Sequence, residues 1–170
     1  MNASTAQAIA TVIERLIDWI GRGTAWLCLL IVVVVANNVI LRYVFALGPV
    51  SLQELEWHLM SPIALIGMSY AMRHGDHVRV DIFYERFPRR LRVAVDVFSA
   101  LAILTVSIII VKLSIHFVYQ AYIIGEGSPD PGGLPYRFLL RAFIPLGFTL
   151  LSLQAVAKLI LGMLQFKGEP

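Results

Sequence analysis

Apolar residues fall into four long runs, at about 24–45, 52–72, 93–115 and 138–161. Each reaches or exceeds the roughly 20 residues that a helix needs to cross a hydrocarbon core, at about 1.5 Å rise per residue. A helix is the form that satisfies its own backbone groups where lipid offers no partner. The pattern therefore predicts an all-α integral membrane protein: one domain, 1–170, of four transmembrane helices plus short amphipathic interfacial helices. Ahead of the first run, Ile9, Val12, Ile13, Leu16, Ile17 and Ile20 recur at i, i+3, i+4 spacing, with Thr11, Glu14, Arg15 and Asp18 opposite. This predicts an amphipathic helix over about 5–20, capped by Ser4 or Thr5, lying in the membrane interface. The alternative is an extension of the first span, broken at Gly21-Arg22-Gly23. The third pattern runs on to Gly125, more than about 30 residues or roughly 50 Å, so that helix must tilt, bend or project.

Composition agrees with the pattern. Hydrophobic residues make up 58% of the chain and charged residues 15%, with a mean hydropathy of +0.77. A soluble domain carries about 25% charged residues. Six arginines crowd the segment 73–92, and the positive-inside rule explains them. With that loop cytoplasmic, the inner side receives Arg15, Arg22, Arg73, Arg79, Arg86, Arg89, Arg90, Arg92, Lys158 and Lys167. The outer side has Arg42, Arg137 and Arg141, with Lys112 near the outer end of its span, and both termini fall inside. Asp76, Asp81 and Glu85 dilute the basic run, which argues against nucleic acid and leaves contact with membrane lipid headgroups. The first apolar run follows about twenty residues of other sequence, unlike a cleavable signal. The single cysteine, Cys28, excludes an internal disulfide and a CxxC pair.

Several positions carry candidate chemistry. Asn37 and Asn38 are expected to face another helix, because unpaired amides are costly in lipid. Ser51 with Glu54 three residues on reads as a capping box, and Glu56 as a first-turn carboxylate favoured by the helix dipole. Pro62 is placed to kink the second helix. A short interfacial helix is expected over 81–87, stopped by Pro88. Prolines 129, 131 and 135 with glycines 125, 127, 132 and 133 predict an irregular outer loop, 125–137. Intramembrane catalysis or ion transport shows itself as ionisable groups at mid-depth. Here Arg42, Glu54, Glu56, Lys112 and Arg141 fall near the outer boundary and Asp96 near the inner one. His58 and His116 could ligate a haem from neighbouring helices, although two lone histidines are more often interfacial hydrogen-bonding residues. His74 and His77, flanking Gly-Asp, make a weak metal motif. No catalytic residue, metal or cofactor is expected. No repeat relates the first two runs to the last two, which weighs against the internal symmetry of complete secondary transporters.

The stretches "NNVILRYVF", "SLQELEWHLMSPIALIGMSYAMRHGDHVRVDIFYERFP" and "GSPDPGGLPYRFLLRAFIPLGF", in this order, resemble the small membrane subunit (DctQ type) of tripartite ATP-independent periplasmic (TRAP) transporters. Glu54, Arg73, His77, Val80 and Asp81 fall on the family's glutamate-led second helix and its following loop, while Glu56 departs from the small polar residue common there. The resemblance implies a non-catalytic subunit that braces a large membrane subunit (DctM type), itself carrying solute and sodium as an elevator. A periplasmic solute-binding protein, supplying organic acids or similar solutes, completes the system in the bacterial inner membrane. On that reading Arg42 and Glu54 anchor the outer ends of the first two spans, and Arg73, His77 and Asp81 order the inner loop. Ser128, Pro129, Asp130, Pro131, Gly132, Gly133 and Arg137 offer contacts to the partner proteins.

Overall fold

The computed structural model describes residues 3–75 and 87–166. Within them lie four helices and no strand: α1 (Ala3–Val44), α2 (Val50–His74), α3 (Arg89–Ile123) and α4 (Arg137–Phe166). By length and composition, three are fit to cross a membrane: α1, α3 over Arg90–Ile123, and α4. The four-run pattern is thus matched by three helices on this measure. Length is not what separates α2, since its 25 residues extend about 37 Å. Glu54, Glu56, His58 and Pro62 make it less apolar than the others.

The expected break in the first helix is absent. α1 runs unbroken for 42 residues, through Gly21 and Gly23, or about 63 Å. Ser4 and Thr5 lie inside it rather than at its cap. A glycine in a helix interior costs only about 1 kcal/mol, and Gly21 is used: it lies so close against the Tyr70 ring of α2 that any Cβ would collide. The second helix also starts differently from the expected capping box. Pro49, in extended conformation, is the N-cap residue, and no side chain caps the helix. Gly75, at φ 80°, ends α2 in the left-handed conformation and donates its N–H to Ala71 O. α3 follows Pro88, with Arg92 Nε donating to Phe87 O at 2.9 Å. The helix expected over 81–87 has its residues 81–86 outside the described segments.

α4 is the hub of the bundle, packing most extensively on α3 and also on α2 and α1, while α1 and α2 pair with each other. Small residues permit this. Gly147 lies where a Cβ would come within 2.7 Å of Leu65 Cβ and 2.8 Å of Leu65 O, and Gly162 where it would come within 2.7 Å of Val97 Cγ2. In lipid, where helices gain little from hydrophobic burial against one another, such close approach supplies the van der Waals contact. Met72, Ala100, Leu151 and Ala155 form the buried centre, with Met68, Ile103, Leu104, Phe148 and Leu159 packed around them. Gly147→Ala must push α2 off α4 against a backbone carbonyl. A loss of about 1–3 kcal/mol is expected, read as an earlier thermal unfolding midpoint in detergent.

One buried side chain in the hub is unsatisfied. Gln154 is fully buried, and neither its amide oxygen nor its nitrogen has a partner. A buried polar group left unbonded costs about 1–3 kcal/mol. Gln154→Met, of similar shape, is therefore expected to raise the unfolding midpoint; an unchanged or lower midpoint would mean that the amide does find partners in the membrane.

Candidate functional site

The polar chemistry of the bundle gathers at its two ends. One end holds the α1–α2 link, 45–49, and the loop 124–136; the other holds the basic residues around the α2–α3 connection. At the loop end, Glu54 projects from the first turns of α2 and is buried at 7% exposure. Ser128 Oγ donates to its Oε1, and Leu134 N–H donates to its Oε2 at 2.5 Å. Donors on both oxygens suit an ionised carboxylate, and Arg137 and His58 add positive or polarisable neighbours.

The loop is built to make this grip. Ser128 Oγ also accepts from Asp130 N–H at 3.1 Å, Ser128 N–H donates to Leu134 O at 3.1 Å, and Gly133 N–H donates to Asp130 O at 3.1 Å. These bonds close 128–134 into a knot over the carboxylate. A Cβ at Gly133 would fall 2.7 Å from Glu54 Oε2, so glycine is required for the chain to pass. Gly132, at φ 81°, takes a conformation that favours glycine. Below the knot, Arg141 Nη2 pairs with Glu126 Oε1 at 2.5 Å, and its guanidinium lies 3.9 Å over the Phe117 ring. Arg137 N–H donates to Glu126 O at 3.0 Å. Pro129, Asp130, Pro131 and Gly132 face outward from the protein.

A second clasp at this end joins α1 to α2: Asn38 Nδ2 donates to Glu56 Oε1 at 2.8 Å. At the basic end, Arg73 Nη1 pairs with Asp18 Oδ2 at 2.9 Å and also donates to the Glu14 carbonyl. His74 Nε2 donates to Asp18 Oδ1 at 3.2 Å, with its ring 4.3 Å from that of Tyr70. The two clasps are 20 residues apart on α1 and 17 apart on α2, counting Asp18 to Asn38 and Glu56 to Arg73. That is roughly 30 and 25 Å of helix, close to the hydrocarbon thickness.

Of the residues singled out in the sequence, Glu54, Ser128, Gly133 and Arg137 come together, with Pro129, Asp130, Pro131 and Gly132 above them. Arg42 stands apart from Glu54, in a cleft between α1 and α2. Arg73 joins α2 to α1, while His77 and Asp81 lie outside the described residues. Asn38 faces α2 as expected; Asn37, 100° round the helix, is exposed. His58 Nδ1 donates to Glu54 O at 2.7 Å, whereas exposed His116 accepts from Gln120 at 2.9 Å. α3 packs chiefly on α4, so the haem pairing of these histidines finds no support. Among the described residues no group of three or more metal-ligating side chains gathers. Lys112 is exposed on α3, five residues or about 7.5 Å from the Phe117 level, within reach of the interface for a long side chain. The partnerships of Asp18, Glu56 and Glu126 were not evident in sequence; for Asp18 and Glu126 a charge of opposite sign toward the same end of the bundle was the available hint.

The sequence that builds these helices and clasps has a match among known families. The family described as "Tripartite ATP-independent periplasmic transporters, DctQ component" matches residues 31–165. The chain belongs to this family. It is also similar to the "Ectoine TRAP transporter small permease protein TeaB" of Halomonas elongata, 30% identical over 121 residues. That match covers 69% of this chain and 60% of the relative, so the chain spans less than two thirds of the relative's length. The DctQ component is a membrane part of a transporter, and the long apolar helices of this chain accord with that. The matched region starts within α1, leaving its first 28 residues, 3–30, outside the family's shared part.

Proposed function

We propose that this DctQ-family chain is the stationary membrane subunit of a sodium-coupled TRAP transporter in the bacterial inner membrane. It braces a large, moving DctM-type subunit and helps dock a periplasmic solute-binding protein, and it carries out no chemistry itself. The observation that supports this best is where the helix carboxylates are. Glu54, Glu56 and Asp18 are each engaged by partners at the bundle ends, and Asp96 lies within the first turns of α3. No carboxylate of the described helices lies at mid-depth to bind sodium or a proton.

On this reading α2 is a fourth span. Its clasps to α1 bound a stretch of hydrocarbon thickness, and the serines between them are bonded to their own helix: Ser61 to Trp57 O at 3.0 Å and Ser69 to Ile66 O at 2.8 Å. The basic end, with Arg15, Arg22, Arg73, Arg90 and Arg92, is cytoplasmic by the positive-inside rule. The loop end, with its outward Pro129–Gly132 face, is periplasmic, where a binding protein would meet it. Both termini are then cytoplasmic. The solute is an organic acid or similar small molecule, chosen by the other chains; the named relative is tied to ectoine by its own name alone.

Reconstitution tests this. The large subunit, the binding protein and this chain together in liposomes are expected to take up solute down a sodium gradient. This chain alone is expected to move none. Full-rate uptake by the large subunit and binding protein without it would refute the bracing role.

A further inference from the structure

Between α1 and α2, at the loop end, lies a cleft of about 320 Å³ that the clasps do not fill; Val39, Asn38, Arg42, Tyr43, Glu56 and Trp57 are among its lining residues. Its chemistry is divided. Arg42 makes no hydrogen bond or ion pair among the described residues, although Glu56 lines the same cleft. Glu56 gives one oxygen to Asn38 Nδ2. Asn38 is buried at 7% exposure and its Oδ1 has no partner. The cleft thus offers one cation that lacks an anion, and a carboxylate with one oxygen to spare beside the buried amide of Asn38.

We infer that this cleft binds the headgroup of a phospholipid bearing a primary amine, its phosphate on Arg42 and its ammonium on Glu56. The location selects a lipid as the occupant. The cleft sits at the level of the clasp that closes the apolar stretch of α1, and Tyr43 and Trp57, at 81% and 63% exposure, are amphipathic rings of the kind that sit at headgroup depth. Val39, Val35 and Val32 continue along α1 from the cleft toward the bundle middle, exposed at 48%, 39% and 62%, where an acyl chain would lie. A guanidinium suits phosphate through paired N–H donors. The Glu56 carboxylate then chooses the amine. A primary ammonium has three N–H donors to give, whereas a quaternary ammonium has none, and a glycerol headgroup would bring no cation to Glu56. Neither of those headgroups gives Glu56 a charge-assisted N–H donor.

The inference does not rest on the bracing role, and a chain that moves nothing and braces nothing would still bind the lipid. The purified chain in detergent, given phosphatidylethanolamine, phosphatidylcholine and phosphatidylglycerol of matched acyl chains, is to be examined by native mass spectrometry for retained lipid. The wild-type chain is expected to keep phosphatidylethanolamine over phosphatidylcholine by roughly tenfold, the scale of one charge-assisted hydrogen bond. Arg42→Gln should lose retention of both. Glu56→Gln should keep the two about equally, with an unfolding midpoint showing that each variant is folded. The wild-type preference needs no variant, so a substitution that fails to fold leaves the proposal testable. Equal retention of the amine and choline lipids by the wild-type chain would overturn it. So would a folded Arg42→Gln that holds phosphatidylethanolamine as the parent does. Loss of all lipid on adding the large subunit, with the cleft then protected from labelling, would assign the cleft to a protein helix and equally overturn it.

Discussion

Glu54→Ala is expected to free the loop 124–136 from the bundle. The substitution removes both acceptors that Ser128 Oγ and Leu134 N–H now use. It also leaves Arg137, at the start of α4, without the nearby carboxylate. Glu126 is held by Arg141. Limited proteolysis should cut between 126 and 136 roughly tenfold faster than in the parent, as local opening of a segment held by few bonds requires. Glu54→Gln should fall between, since its amide oxygen can still accept from Leu134 N–H while its NH2 turns to Ser128. If the cleavage rate of Glu54→Ala matched the parent's, the carboxylate would not be what holds the loop. In the assembled transporter, the same variant is expected to co-purify less binding protein while keeping the large subunit, because the outward Pro129–Gly132 face loses its support.

Arg73→Glu is expected to be the most disruptive change at the opposite end. It would set a carboxylate against Asp18, remove the donor to the Glu14 carbonyl, and leave His74 Nε2 as the remaining side-chain donor to Asp18. Both partners are about 21% exposed, partly sheltered, so a loss of about 2 kcal/mol is reasonable, between surface and buried pairs. The check is a double-mutant cycle in detergent unfolding with Asp18→Arg. The swapped pair should recover part of the loss, as interacting residues do. Additive losses in the double variant would show that the pair contributes nothing specific to joining α1 and α2.

The long apolar runs were readable because a helix in lipid must declare its length and hydrophobicity in its own residues. What depended on distant partners was not. Glu54 looked like a capping residue because Ser51 precedes it by three, yet Pro49 already supplies an extended N-cap and the carboxylate is claimed by a loop 74 to 80 residues away. Gly21-Arg22-Gly23 looked like a break, but the packing of Gly21 on Tyr70 outweighs the small local cost. Asn37 and Asn38 looked equivalent; the turn of the helix sends only Asn38 to Glu56. The four runs were visible, while the relative dilution of α2 came from charges read individually as caps and anchors. The proline-rich loop was recognised as irregular, but its fold over a carboxylate follows from the register of α2 against α4, which no local pattern encodes.

That register has a consequence for how the protein is made. The hub, α4, is the last of the four helices to leave the ribosome, so α3 has almost nothing to pack on until it arrives. The α1–α2 hairpin can close early through its own clasps, but α3 must wait in the bilayer as a lone span. Assembly is then completed in one late step rather than helix by helix, and a chain stopped before residue 137 would hold a hairpin and a stray helix with no common centre.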